Sequence, residues 1–177
     1  MTHYRSLYEI AVDNYGLVTS AQAKEAGVSD KEMSAIAKRG RIQRIGRGVY
    51  RLTDYIPVEN DIYAESVALV GEEAFLYGES VIAMHRLAAT NPTRVFVATF
   101  KRVRRRLPEY IRVVALKAPA RYVWYEGIAS QSVCDAIDAC KGQLMSERLL
   151  DALRNARRQG LLIEQDYLRL MKELEDE

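Results

Sequence analysis

The sequence predicts an α+β fold in two parts, a first domain over residues 1–56 and a second over residues 57–177. Apolar residues at helical spacing alternate with short β-branched runs, which is typical of mixed helix and sheet. Residues 1–56 hold nine Lys or Arg against six acids, whereas the remainder holds 17 against 18, so the charge balance changes between the parts. From residue 130 onward the pattern is helical, which predicts a helical C-terminus for the second domain.

The first domain is predicted to begin with three helices. Ser29 and Glu32 have the spacing of a capping box, which marks the start of the third helix. Two strands follow, joined by Gly46-Arg47-Gly48, because glycine supplies the positive φ that a tight hairpin turn requires. This order of elements is that of a winged helix-turn-helix. The predicted elements are helices over residues 6–15, 20–26 and 29–39, and strands over residues 17–19, 41–45 and 49–52.

The second domain is predicted to be a small α+β unit. Its two clearest strands, over residues 94–99 and 111–116, are rich in β-branched residues. Pro108 and the basic run Lys101–Arg106 lie between them, so this connection is predicted to be a hairpin loop. Further strands are expected over residues 74–77 and 122–128, and helices over residues 62–70, over residues 80–87 and after residue 130.

The third helix has two different faces. Met33, Ile36 and Ala37 are expected in the core, and the opposite face collects residues at spacing i, i+3, i+4 and i+7. A recognition helix needs this division, because its outer side chains must reach base edges in the major groove. On that face a lysine suits guanine acceptors, a serine suits either partner type, and an alanine suits a thymine methyl. The four residues are Lys31, Ser34, Ala35 and Lys38.

The predicted wing is basic and holds no acid. Arg44 and Arg47 are placed to contact phosphates or to enter the minor groove, where guanidinium geometry suits both. An uneven basic density of this kind indicates a polyanionic partner, and double-stranded DNA is the expected one. The candidate DNA-binding residues are Lys31, Ser34, Ala35, Lys38, Arg39, Arg41, Arg44, Arg47 and Arg51.

A second basic cluster lies in the second domain. It has five cations in six positions, and three interpretations of it stay open: a second nucleic-acid contact, a dock for an acidic partner, or a solvated loop. Its cations are Lys101, Arg102, Arg104, Arg105 and Arg106.

Residues 8–27 and 40–52 together resemble the N-terminal domain of AbiEi-type antitoxins. The shared pattern is a helix, a glycine, an extended Val-Thr, an Ala-rich helix and Gly-Val-Ser, followed later by a Gly-Arg-Gly-Val-Tyr wing. Weaker landmarks of that family's second domain occur at residues 77–87, at Val95 and at residues 127–135. The sequence departs from the family pattern at Arg86, where glycine is expected after the histidine.

The resemblance implies a function. AbiEi-type proteins are bacterial transcriptional regulators and antitoxins of type IV toxin–antitoxin systems, which act in abortive infection, a phage defence. By resemblance, this protein is expected to repress its own promoter, with two copies on paired or repeated sites. It is also expected to counter a nucleotidyltransferase-like toxin without forming a stable complex with it.

Two other readings of the pattern remain. The winged helix can serve as the scaffold of a protein-interaction module without specific DNA binding, because helix-turn-helix folds also mediate protein contacts. An RNA- or DNA-processing enzyme is the weaker alternative, since Glu79, Ser80 and His85 lie close in the sequence. No second carboxylate or nucleophile is visibly paired with those three residues, so we predict that the protein is not an enzyme and has no catalytic residues.

Composition excludes several further classes. Cys134 and Cys140 are too few for a disulfide framework or a four-ligand zinc site, so neither a metal nor a cofactor is expected. No apolar run approaches the ~20 residues that a membrane span needs. The chain also lacks a secretory signal pattern, and we expect a cytoplasmic protein with no membrane partner.

Overall fold

The structure, a computed structural model, describes residues 3–90 and 92–176 and has a mixed α+β fold. The described chain divides into two compact units. The first ends at Glu72 and also includes Val103–Leu107, and the second holds Glu73–Arg102 and the chain from Pro108 onward. Among the described residues, no helix is long and apolar enough to cross a membrane.

The first unit contains three helices, a three-stranded sheet and a fourth helix. The strand order is β1-β3-β2, and both pairs are antiparallel, with Val18 opposite Tyr50 and Ile42 opposite Leu52. The elements are α1 (His3–Val12), β1 (Leu17–Thr19), α2 (Ser20–Glu25), α3 (Asp30–Lys38), β2 (Ile42–Gly46), β3 (Val49–Leu52) and α4 (Asp61–Val70).

Capping boxes begin both α2 and α3. The Ser29 hydroxyl accepts from the Glu32 amide at 3.3 Å while the Ser29 amide donates to the Glu32 carboxylate at 2.8 Å, so the box predicted for α3 is confirmed. Thr19 and Gln22 form a second box at the start of α2. Each box satisfies amides that the first helical turn leaves without partners, and such a cap contributes about 1 kcal/mol.

The core of the first unit collects one side chain or more from each of its first six elements. Leu7, Ala23 and Met33 from the three helices are fully buried with Val18 of β1 and Ile42 of β2. Burying the larger of these side chains, Leu, Met, Val and Ile, stabilises a domain by roughly 1.5–3 kcal/mol each before the entropy of ordering them is subtracted. The position of α3 against the sheet is therefore fixed by a shared apolar core.

The fourth helix belongs to the first unit. A Cβ built on Gly46 would lie 2.3 Å from Leu69 Cδ2, so α4 packs directly on the end of β2, where only glycine leaves room. The predicted domain boundary after residue 56 stays a prediction, and the compact unit extends beyond it to Glu72.

The second unit is built on a five-stranded mixed sheet with order β6-β5-β4-β8-β7. Its strands are β4 (Phe75–Leu76), β5 (Val95–Thr99), β6 (Ile111–Ala115), β7 (Val123–Tyr125) and β8 (Ile128–Ser130). Its helices are α5 (Glu79–Met84), α6 (Val133–Cys140), α7 (Ser146–Arg158) and α8 (Glu164–Glu175). The predicted helical C-terminus is confirmed from Val133 onward, whereas Ser130 still lies in β8.

The prediction of a hairpin loop at the basic run is wrong. The strands on either side of it, β5 and β6, pair in parallel, with Val97 opposite Val113. Parallel neighbours cannot be joined by a tight turn, because the chain must return to the end at which the first strand began. Residues 100–110 make that return, and Val103–Leu107 lie in the first unit.

Candidate nucleic-acid interface

The outer face of α3 carries the predicted base-reading residues. Lys31, Ser34 and Lys38 are exposed and Ala35 is half-buried, whereas Met33 and Ile36 on the opposite face are buried. The Ser34 hydroxyl donates to the Asp30 carbonyl oxygen at 2.9 Å, so its proton is already used within the helix. The predicted division of α3 is therefore confirmed for Met33 and Ile36, while Ala37, also expected in the core, is half-buried against it.

The first turn of α3 is acidic. Asp30 and Glu32 both lie there, and acids at a helix N-terminus interact favourably with the helix dipole. The Ser29 amide and hydroxyl hold the pKa of the Glu32 carboxyl below its ordinary value, with a smaller effect of His3, whose Nδ1 is 2.5 Å away. Glu32 therefore keeps its negative charge near Lys31 on the same helix.

The hairpin of residues 42–52, here called the basic hairpin, has a different charge pattern. Arg44 and Arg47 are exposed, and neither forms an ion pair with another described residue. The turn uses Gly48 at a φ of +69°, a conformation that favours glycine. A register shift after Arg44 lets its Nε donate to the Gly46 carbonyl oxygen at 3.2 Å. Arg44 near the end of β2 and Arg47 in the turn itself are therefore both presented to solvent.

Arg39 and Arg41 connect α3 to the basic hairpin. Arg39 is the C-cap residue of α3, and both arginines are exposed. The Arg41 guanidinium lies 5.6 Å from the centroid of the Tyr4 ring, within reach of a cation–π interaction. The exposed cations of this surface that form no ion pair with a described residue are Lys31, Lys38, Arg39, Arg41, Arg44 and Arg47.

Arg51 is placed differently from the other predicted contacts. Its side chain is 20% exposed, and its Nη1 donates to Glu65 Oε2 of α4 at 2.8 Å. Its Nη2 lies 3.9 Å from Asp61, which accepts from the Tyr55 hydroxyl at 2.8 Å. Burial of the Tyr55 hydroxyl, together with its hydrogen bond to Asp61, raises the pKa of Tyr55 to about 12. Arg51 thus holds α4 against β3.

The second basic run is divided between the two units. Lys101 and Arg102 belong to the second unit, where the Lys101 ammonium lies 2.8 Å from the Glu73 carboxylate. Arg104, Arg105 and Arg106 belong to the first unit, which also contains the basic hairpin. All five cations are exposed, but the run does not act as one loop of one domain.

The residues considered for a hydrolytic site have other roles. The Ser80 hydroxyl accepts from the Phe96 amide at 2.8 Å, and the His85 ring lies 4.1 Å from the Tyr125 ring between centroids. Burial lowers the pKa of His85, and burial together with the nearby Glu79 raises the pKa of Cys140 to about 12. No group of three His, Cys, Asp or Glu side chains in residues 3–90 and 92–176 is placed to hold a metal ion.

Sequence reasoning missed three features of this surface. The pairing of Arg51 with Glu65 joins residues 14 apart in different elements, which no helical or strand periodicity reveals. The packing of α4 on Gly46 and the position of Arg105 in the first unit are likewise long-range. One usable signal was present, since Arg51 lies on the same face of β3 as the apolar residue Val49, two positions earlier.

Comparison with known proteins bears on the same part of the chain. No curated protein matches the sequence. Residues 5–53, which run from within α1 to just after β3, match a family model described as "Transcriptional regulator, AbiEi antitoxin". The resemblance predicted from the sequence is therefore confirmed over these residues: the N-terminal segment that carries α3 and the basic hairpin is similar to AbiEi antitoxin regulators.

Proposed function

We propose that this protein is a DNA-binding transcriptional autorepressor and antitoxin of a type IV toxin–antitoxin system, with a winged helix-turn-helix as its N-terminal domain. The supporting observation is the group of six exposed cations on α3, at its C-cap, at Arg41 and on the basic hairpin, none of which forms an ion pair with a described acid. The order α2, turn, α3, β2, β3 agrees with a recognition helix followed by a wing. The family match over residues 5–53 agrees with a regulator.

The two parts of this surface have different proposed roles. Phosphate contacts depend on charge and occur on any sequence, so the acid-free basic hairpin supplies most of the affinity through Arg44 and Arg47. A helix in the major groove can read base edges, and α3 offers Lys31, Ser34 and Ala35 on its outer face for this role. Lys38, Arg39 and Arg41 are further candidate backbone contacts. Arg51 is left out of this interface because α4 acids already bind it.

The finer antitoxin role rests on the resemblance. In this proposal the protein occupies paired sites in its own promoter as two copies and counters a nucleotidyltransferase-like toxin without a stable complex. The protein acts as a regulator and not as an enzyme, since Ser80 already accepts from a backbone amide and His85 is buried against Tyr125. The domain division near residue 56 remains part of the proposal.

Binding of the full chain to duplex DNA tests the regulatory role. The measurement compares DNA from upstream of its own gene with a scrambled duplex of equal length over a range of salt concentrations. We expect tighter binding to the upstream DNA and an affinity that falls steeply with salt, because counterions are released from phosphates. Equal and salt-independent binding to both duplexes would instead favour a protein-interaction module.

Co-expression tests the antitoxin role separately. The partner to use is a nucleotidyltransferase-like protein encoded beside this gene, and its presence there is the first observation to make. We expect the full chain to restore growth when the toxin is produced, with no stable complex on co-purification. Growth arrest that persists, or a tight complex that co-purifies, contradicts this part of the proposal without affecting DNA binding.

A further inference from the structure

The segment Val103–Leu107 is anchored inside the first unit by one arginine. Arg105 Nη1 lies 3.4 Å from the Leu69 carbonyl oxygen of α4 and 3.5 Å from the Arg47 carbonyl oxygen in the turn of the basic hairpin. Gly71 leaves space for this guanidinium, since a Cβ there would lie 3.4 Å from Arg105 Nη2. Arg105 is therefore engaged with backbone oxygens next to the exposed Arg47.

The residues on either side of this anchor are free cations. Arg104 and Arg106 are exposed, and neither forms an ion pair with another described residue. The segment contains no acid, and neither does the basic hairpin to which Arg105 is bound. A solvated loop does not require an internal anchor of this kind. The anchor instead places two further positive charges in the unit that carries Arg44 and Arg47.

We propose that Val103–Leu107 is a second arm of the DNA-binding surface. Arg105 is a positioning residue that ties the arm to the turn of the basic hairpin, and Arg104 and Arg106 contact DNA phosphates. The inference rests on the proposed function, because it extends the same surface. The arm contacts phosphate and not bases, so its contribution is the same on every duplex sequence and depends strongly on salt.

Salt titrations of full-length variants on a random duplex test the arm. Each phosphate contact contributes about 0.9 to the slope of log affinity against log salt concentration. Arg104→Ala with Arg106→Ala should therefore make the slope shallower by about two units and leave the melting temperature unchanged. The matched control is Lys117→Ala with Arg121→Ala, which removes two exposed cations of the second unit and should leave the slope unchanged.

The role of Arg105 is tested by whether the loss of salt slope caused by Arg105→Ala adds to the loss caused by the double change of Arg104 and Arg106. Arg105→Ala releases the arm, so it should also make the slope shallower, by up to about two units. The triple change of Arg104, Arg105 and Arg106 to alanine should then lose no more than the double change, because Arg105 itself does not reach phosphate. Non-additivity in a salt slope is a readout that a merely structural residue does not produce.

Three results would overturn the inference. The first is an unchanged slope for Arg104→Ala with Arg106→Ala while Arg44→Ala with Arg47→Ala makes it shallower. That result would exclude the arm from the DNA interface and leave the proposed function standing. The second is an equal loss of salt slope in the Lys117 and Arg121 control, which would show that the effect comes from net charge alone. A triple variant that loses about three units makes Arg105 a third contact and not an anchor. If the unaltered chain shows no salt-dependent binding, the proposed function fails first.

Discussion

The helix α3 and the basic hairpin both present cations to solvent, but they carry charge in different ways. The first turn of α3 holds Asp30 and Glu32 around Lys31, whereas residues 42–52 contain no acid. Acids close to a lysine reduce its attraction for a polyanion, and an acid-free hairpin keeps the whole of its attraction. In the function proposed here, this difference suits α3 to selecting a sequence and the basic hairpin to holding the DNA backbone.

Removing two arginines from the basic hairpin should have the largest effect on DNA binding. Arg44→Ala with Arg47→Ala should make the salt slope shallower by about two units, and affinity should fall alike on upstream and random duplexes. Fluorescence anisotropy at several salt concentrations measures both quantities. A loss confined to the upstream duplex would mean that the hairpin reads sequence, which reverses the comparison.

Arg51 is the inward-facing cation of the basic hairpin, whereas Arg44 and Arg47 face solvent. Arg51→Met removes the ion pairs that Arg51 forms with Asp61 and Glu65 in a partly buried site, so we expect a loss of about 1–3 kcal/mol in the free energy of unfolding. The salt slope of DNA binding should not change.

Urea unfolding measures that stability change, and Arg5→Met is its control. Arg5 pairs with Glu9 on the exposed surface of α1, where an ion pair contributes less than about 1 kcal/mol. If Arg51→Met instead kept full stability and made the slope shallower by about one unit, Arg51 would belong to the DNA interface after all.

Lys31 tests the selective role of α3. Lys31→Ala should reduce discrimination between upstream and random duplexes by about 1–3 kcal/mol if the lysine reads a guanine edge, with a smaller change on random DNA. Competition binding with the two duplexes measures the difference. Lys24→Ala on α2 removes another exposed lysine and should leave discrimination intact. Equal losses on both duplexes for Lys31→Ala would reduce it to a phosphate contact.

Ser34 should give the smallest effect. Its hydroxyl proton is donated to the Asp30 carbonyl, so the side chain has only acceptor capacity left for a base. We expect Ser34→Ala to reduce discrimination by less than about 1 kcal/mol, in the same competition assay. A loss as large as that of Lys31→Ala would show that the hydroxyl turns away from Asp30 when DNA binds.

The sequence by itself determined the local elements of the first unit. The Ser29 and Glu32 box, the turn glycine Gly48 and the apolar spacing of α3 act over a few residues, so their outcome is decided by neighbours in the chain. For the same reason the exposed faces of α3 and of the hairpin turn were predictable, because each follows from the periodicity of its own element.

Only the tertiary structure decided the rest of the surface. The partner of Arg51 lies 14 residues away, and the contact of Arg105 with Arg47 spans 58 residues. The parallel pairing of β5 with β6 was equally hidden, because two β-branched strands carry no mark of their relative direction. Such contacts depend on which elements pack together, a property of the whole chain that local patterns do not encode. The segment Val103–Leu107 is therefore part of the first unit for a reason that lies in packing.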